Sequence, residues 1–123
     1  MGYAIGAYEV GHCYDFGIGV GNDVSKAFFY YRQSAEMGYA GGACKVGDCY
    51  LNGIGVRKDE HKAFFYYQKS AEMGYAEGAY KVGDCYLYGT GVEKDKHKAF
   101  IYYQKSAEMG AVRGILFEYS PND

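Results

Sequence analysis

Apolar and small residues in the middle of the chain recur with helical spacing. The positions i, i+4, i+7, i+8 and i+11 are occupied by Tyr39, Ala43, Val46, Gly47 and Tyr50. Such a stripe predicts an amphipathic helix over roughly residues 39–51, with one face directed toward a core. The pattern favours an all-α fold.

A second helical stripe follows after a short turn. It predicts a helix over roughly residues 60–73 and consists of Ala63, Tyr66, Tyr67, Ser70 and Ala71. Gly53 and Gly55 break the preceding helix, because glycine readily adopts turn conformations. Asp59 lies where an N-cap carboxylate can accept from a free backbone N–H, and Gly74 lies where a left-handed residue ends a helix. The segment is therefore predicted to be a helix pair.

The same pair occurs three times with a period of 36 residues and no gaps. The repeats cover residues 2–37, 38–73 and 74–109, and a partial fourth unit covers 110–123. Asp23 and Asp95 are the equivalent caps, and Gly38 and Gly110 the equivalent stops. A period of this length is typical of a solenoid, in which each repeat packs on its neighbours. We expect one repeat domain over residues 1–123, with residues 110–123 as a C-terminal cap helix that carries Val112, Ile115, Leu116 and Tyr119.

The amino-acid composition supports the predicted repeat fold. The 123 residues include 19 Gly and 16 Tyr, with one Pro and 49% hydrophobic residues. Most of the glycines fall in five repeat columns: three columns of turns and stops, and two inside the first helix. We expect the column of Gly11, Gly47 and Gly83 to allow close helix approach. The pattern gives no reason for the other column, which consists of Gly6, Gly42, Gly78 and Gly114. Tyrosine appears in columns where leucine would usually fill a core.

The repeat resembles the Sel-one-like repeat, a relative of the tetratricopeptide repeat. The shared residues are Ala-x-x-apolar-Gly-x-x-Tyr, then Gly-x-Gly-Val, an Asp, Lys-Ala, Tyr-Tyr and Ala-Glu-x-Gly, and they cover residues 2–110. The resemblance implies a right-handed α-solenoid of antiparallel helix pairs whose first helices line the concave side. It also implies an adaptor or scaffold that binds proteins, as in signalling.

Charge and cysteine usage narrow the function further. The net charge is -2, so no basic stripe points to nucleic acid, and no apolar run is long enough for a membrane span. Cys13, Cys49 and Cys85 share one column and are too far apart to pair in stacked repeats, so with Cys44 they are expected to be free thiols. Free thiols favour a reducing compartment, and we expect a cytoplasmic protein. The sequence gives no reason to expect a catalytic residue, metal site or cofactor.

The outward positions of the first helices form the predicted partner-binding face for a peptide or protein. Its residues are Tyr8, Lys45, Asp48, Tyr80, Lys81 and Asp84. Aromatic side chains beside charges suit a peptide groove. The alternative is a solvated face with Lys45–Asp48 and Lys81–Asp84 as pairs within one helix. Tyr8 and Tyr80 are the preferred contacts, because their column also holds Cys44 and so does not require tyrosine for packing.

A second surface lies on the opposite side of the second helices. Phe29, Phe65 and Ile101 fall there, in a row among polar residues. This row, here called the convex ladder, is predicted to make a protein contact, including self-association. The alternative is cover by neighbouring lysine and glutamine stems. The first repeat also has no predicted cap, which indicates either a homodimer through that end or a longer array.

Overall fold

The computed structural model of the chain describes the backbone of residues 2–118 and the side chains of residues 2–110. This part consists of six α-helices: α1 (Gly2–Phe16), α2 (Val24–Glu36), α3 (Ala40–Asn52), α4 (Glu60–Glu72), α5 (Ala76–Tyr88) and α6 (Lys96–Glu118). Consecutive helices pack against each other throughout, and α3 also contacts α5. The all-α repeat fold predicted from the sequence is confirmed.

The helix starts follow from the aspartate caps. The Asp23 and Asp59 carboxylates accept from the N–H groups of Lys26 and Lys62 at 3.1 and 3.0 Å, and Asp95 does the same for Lys98 at 3.0 Å. Each carboxylate satisfies one of the N–H groups that have no partner within the helix. All three predicted N-caps are confirmed.

The predicted stop at Gly110 is wrong. Gly38 and Gly74 adopt φ of +95° and +86° and end α2 and α4, as expected. α6 instead continues through Gly110 to Glu118. Gly38 and Gly74 are followed by α3 and α5, which pack on the helices just ended, whereas Gly110 stays helical, which costs about 1 kcal/mol relative to alanine. The predicted cap contacts of Val112, Ile115, Leu116 and Tyr119 lie outside the described side chains.

Tyrosine fills the core, as its repeat columns predicted. Tyr31 and Tyr67 are fully buried, together with alanines and with Val46 and Val82. The helical glycine column faces these rings: a β-carbon on Gly47 would lie 2.6 Å from Cδ1 of Tyr67. Glycine is needed here because the tyrosine ring occupies the space of a side chain. The prediction that this column allows close helix approach is confirmed.

Contacts between repeats explain the glycine column that the pattern left without a reason. A β-carbon on Gly78 would lie 2.9 Å from the backbone nitrogen of Ala71 in the preceding repeat, and one on Gly42 would overlap the hydroxyl of Ser34. Phe28 and Phe64 add edge-to-face contacts to Tyr50 and Tyr86 of the following repeat, with ring centroids 5.4 Å apart. These contacts hold the second helix of one repeat against the first helix of the next.

Candidate peptide-binding face

The first helices α1, α3 and α5 carry all six residues predicted to bind a partner. Because α3 and α5 touch each other directly, these helices form the inner side of the repeat stack. The surface formed by the outward residues of α1, α3 and α5 is called the inner face below. Some of its residues form hydrogen bonds or an ion pair within the fold, and others are accessible to a ligand.

Asp48 and Asp84 accept hydrogen bonds from tyrosine hydroxyls and so stabilise the fold. The Tyr67 hydroxyl donates to Asp48 at 2.6 Å, and the Tyr103 hydroxyl donates to Asp84 at 2.5 Å. Burial raises the pKa of both tyrosines well above the usual value, and the hydrogen bonds to the aspartates raise it further. Each aspartate thus joins the two helices of its repeat and has less capacity left for a ligand.

The first repeat forms the same bond with a different residue. His12 stands at the position of Asp48 and Asp84, and Tyr31 donates instead to Asp15, one turn farther along α1, at 2.9 Å. The equivalents of Asp15 are leucines. A comparison of equivalent positions in the three repeats therefore misses this bond. The signal that could have found it is Asp15, an aspartate one helical turn from His12, where the first repeat lacks one.

The two lysines of the inner face also have partners. The Lys81 ammonium lies 3.8 Å from Asp48 of the preceding repeat. Lys45 lies over the Tyr31 ring, 6.0 Å from its centroid. The structure therefore shows an ion pair between repeats, and neither of the pairs considered within one helix is formed among residues 2–110.

Tyr8 and Tyr80 differ in their freedom to bind. Tyr8 is half-buried between Tyr31 and Tyr39, with ring centroids 5.4 and 5.1 Å away. Burial raises the pKa of its hydroxyl. Tyr80 is 49% exposed and packs one side of its ring on Tyr103 at 5.5 Å. Tyr80 is the more accessible of the two preferred contacts.

Two cavities open on the inner face. A small one of about 60 Å³ is lined by Tyr8, Gly41, Cys44, Lys45, Asp48, Tyr75 and Glu77. A larger one of about 190 Å³ is lined by Leu51, Tyr67, Lys81, Asp84, Cys85 and Tyr88. Tyr75, Glu77 and Tyr88 were not among the predicted binding residues. Tyr75 belongs to a packing column, and its position in the repeat does not indicate that its ring also lines a cavity.

A larger depression lies elsewhere, between the turn of the second repeat and the turn of the third. It measures about 660 Å³ and is lined by charged residues that include Lys58, Glu60 and Glu93. His61 lies there with its Nδ1 3.2 Å from the Gly91 carbonyl oxygen. That contact gives the histidine a part in holding the turn, and the depression shares no residue with the inner face.

The convex ladder is exposed in two of its three members. Phe29 and Phe65 are 59% and 55% exposed, whereas Ile101 is half-buried. Each phenylalanine touches the neighbouring tyrosine edge-on, with centroids 5.2 Å apart. Lysine and glutamine stems therefore do not cover these rings. Whether the ladder binds a partner stays a prediction.

All four cysteines are free, as the repeat spacing predicted. Cys44, Cys49 and Cys85 are buried, and burial raises their pKa to about 12, 12 and 11. A thiol is reactive only as thiolate, so these three are poor nucleophiles at neutral pH. Within residues 2–110, no group of three or more His, Cys, Asp or Glu residues could hold a metal ion.

The three repeat units described above match a known protein family. The model of the Sel1 repeat matches residues 4–39, 40–75 and 76–110. The chain belongs to the Sel1 repeat family. Its repeats begin two residues later in that model than in the periodicity of the sequence. Sel1 repeat proteins are generally non-enzymatic scaffolds that mediate protein interactions.

Solved Sel1-type structures are similar over most of this chain. The c5321 protective antigen of uropathogenic Escherichia coli, which displays an SLR fold, is 33% identical with a TM-score of 0.85, covering 89% of this chain and 23% of its own. A Sel1 repeat protein from Oxalobacter formigenes is 33% identical with a TM-score of 0.83, covering 87% and 44%. Cysteine rich protein B of Helicobacter pylori is 29% identical with a TM-score of 0.72, covering 88% and 84%.

The chain spans less than half of the first two structures. No curated protein matches it in sequence. None of the helices in the described part of the chain is both long and apolar enough to cross a membrane.

Proposed function

We propose that this Sel1 repeat chain is a non-enzymatic adaptor that binds a peptide or protein segment along the inner face. The observation that carries the proposal is the column of Tyr8, Cys44 and Tyr80. Cysteine satisfies packing at this column in the second repeat, yet the third repeat carries a tyrosine that is half exposed. Large aromatic side chains that the fold does not require are typical anchors of a binding surface.

The surroundings of Tyr80 support the same function. Lys81 and Asp84 lie one and four residues along the same helix, and the larger cavity opens beside them. An accessible ring next to a cavity with both polar and apolar walls can hold one side chain and orient the backbone of an extended peptide. No basic patch accompanies it, so the partner that we propose is a protein rather than a nucleic acid.

A selection from a random peptide library tests the proposal. Wild-type protein is expected to enrich peptides whose binding falls at least tenfold in the Tyr8→Ala/Tyr80→Ala variant, because two aromatic anchors are removed. Phe29→Ala is the matched control, since it removes an exposed ring from the outer side. Equal binding by wild type and the double variant would reject the inner face as the site.

Self-association is the second candidate, and the end of the stack at α1 favours it. Val10 is 40% exposed there, although its equivalents Val46 and Val82 are fully buried, and nothing lies within 4 Å of a β-carbon placed on Gly6. This surface and the convex ladder are the two candidates for a homodimer contact. Sedimentation equilibrium of wild type, Gly6→Leu and Phe65→Glu separates them. A mass that stays monomeric at all concentrations would eliminate both.

We also propose that the protein acts in a reducing compartment such as the cytoplasm. Four free thiols, three of them buried, support this location. Ellman titration of protein denatured without reductant should find four thiols in material purified from its native source. Two or none would contradict the proposal.

A further inference from the structure

The middle repeat has small residues at two inner-face columns where its neighbours have large ones. Gly41 stands between Ile5 and Glu77 in one column, and Cys44 stands between Tyr8 and Tyr80 in the other. The result is the 60 Å³ cavity, called the α3 notch here. Cys44 is 3% exposed, and the fold tolerates tyrosine at this column in both other repeats. The notch is therefore a local feature of α3 and is not required by the repeat.

Aromatic rings stand on both sides of the α3 notch. Tyr8 from α1 and Tyr75 from the start of the third repeat both line it. Tyr39 packs behind Tyr8, and Gly41 makes room for it, since a β-carbon on Gly41 would lie 2.9 Å from Cε2 of Tyr39. The faces of such rings attract cations, because the π-electrons make them negative.

Two carboxylates, of Asp48 and Glu77, and one ammonium group, of Lys45, line the α3 notch. Lys81 is paired with Asp48 and Lys45 is drawn to the Tyr31 ring, so both local cations are engaged. Glu77 is exposed, and its contact is a long one of 3.5 Å from the Tyr75 hydroxyl. Burial is the main cause that raises the pKa of Tyr8, and the nearby Glu9 and Glu77 carboxylates raise it further. One carboxylate is thus available beside two aromatic rings.

From this geometry we infer that the α3 notch binds the side-chain ammonium group of a lysine in the peptide ligand. An ammonium group occupies about the volume of one water molecule, ~30 Å³, and fits the notch, whereas an aromatic ring does not. Tyr8 and Tyr75 supply the cation–π contacts, and Glu77 supplies the counter-charge. The inference rests on the proposed peptide-binding function and states which side chain the inner face selects.

Peptides selected on the wild-type protein test the inference directly. An aligned lysine is expected in the binders, and its replacement by norleucine, which keeps the methylene groups, should weaken binding about fivefold in fluorescence anisotropy. The same replacement should have less than about a twofold effect on Glu77→Gln protein. Glu77 is exposed, so this variant is expected to fold. Tyr88→Ala, at the larger cavity, is the control: it should lower affinity and keep the preference for lysine.

The outcomes separate the inference from the function on which it rests. Enriched peptides without an aligned lysine, or an equal effect of norleucine on wild type and Glu77→Gln, would overturn the inference and leave the adaptor function intact. Failure to enrich any peptide would overturn both.

Discussion

The first and second repeats share nearly the same columns but not the same surroundings. Val46 is fully buried and Val10 is 40% exposed, although both stand at one column. A β-carbon on Gly42 would overlap the Ser34 hydroxyl, whereas one on Gly6 would meet open space. Side chains at these columns are therefore buried by the adjacent repeat. The residues of each column only provide a helix surface on which the adjacent repeat can pack.

The comparison also separates packing columns from binding columns. The packing columns keep the same residue whether or not a neighbour covers them, as Gly6 and Val10 do. The inner-face column of Tyr8, Cys44 and Tyr80 changes from repeat to repeat. In our account the constant columns build the stack, and the changing column carries the binding.

The largest expected difference between repeats lies at the second glycine of the turn. Gly19 and Gly55 have nearly the same φ, +72° and +71°, so alanine is strained equally at both, by about 1–2 kcal/mol. At Gly55 the new methyl would also overlap the Val24 carbonyl of the first repeat. Gly55→Ala should therefore cost about 2 kcal/mol more than Gly19→Ala in urea denaturation. Equal losses would contradict the repeat contact.

A smaller difference is expected at the valine column. Val46→Ala removes two buried methyl groups and should lower the free energy of unfolding by about 2 kcal/mol. Val10→Ala should lower it by less than about 1 kcal/mol, because the side chain is already partly in water. Urea midpoints of the two variants measure the contrast. A larger loss for Val10→Ala would mean that α1 is covered in solution.

Alkaline pH provides a further test, at the buried Cys49 thiol. Burial raises the pKa of Cys49 to about 12, above the usual thiol value near 9. The folded state therefore holds this proton more tightly, and the contribution to stability is complete below pH 9 and is lost as pH rises toward 12. By pH 10 the loss is about 1 kcal/mol for this thiol.

The Cys49→Ala variant isolates the contribution of this thiol. It should flatten the decline of stability between pH 8 and 10 relative to wild type. Thermal midpoints measured across this range provide the test. Identical slopes for the variant and wild type would exclude burial of Cys49 as the cause.

The smallest expected effect has the opposite sign. Gly6 lies in the second turn of α1 with no atom within 4 Å of a β-carbon, so Gly6→Ala should stabilise the protein by up to about 1 kcal/mol through helix propensity. Gly42→Ala at the equivalent position should destabilise it. Opposite shifts in the thermal midpoint are expected, and a loss for Gly6→Ala would show that another molecule packs on this end.

The fold was predictable because the stack repeats itself. Helix pairs, aspartate caps and the glycine–tyrosine contact all follow from columns that recur three times. The reason for glycine at Gly42 and Gly78 was not predictable, because the atoms that they avoid, in Ser34 and in Ser70 and Ala71, belong to another repeat. The continuation of α6 through Gly110 was not predictable either, because glycine is found both at helix ends and, at a cost of about 1 kcal/mol, within helices.

The sequence allowed the face that carries the candidate site to be predicted, but not the contacts that its residues make. Helical spacing placed Tyr8, Lys45 and Lys81 on the inner side, but it could not show that Lys81 pairs with Asp48 across two repeats. Nor could it show that Asp48 and Asp84 serve the core tyrosines. These contacts depend on distances between helices, which one-dimensional spacing does not contain.

The most direct test of the account maps a bound peptide onto the two kinds of helix. Backbone amide shifts of ¹⁵N-labelled protein are measured during titration with a peptide selected on the wild type. We predict that the shifts concentrate on α1, α3 and α5, around Tyr8, Cys44 and Tyr80, and that α2 and α4 near Phe29 and Phe65 change little. Shifts concentrated on α2 and α4 would contradict the claim that the inner face is the binding surface.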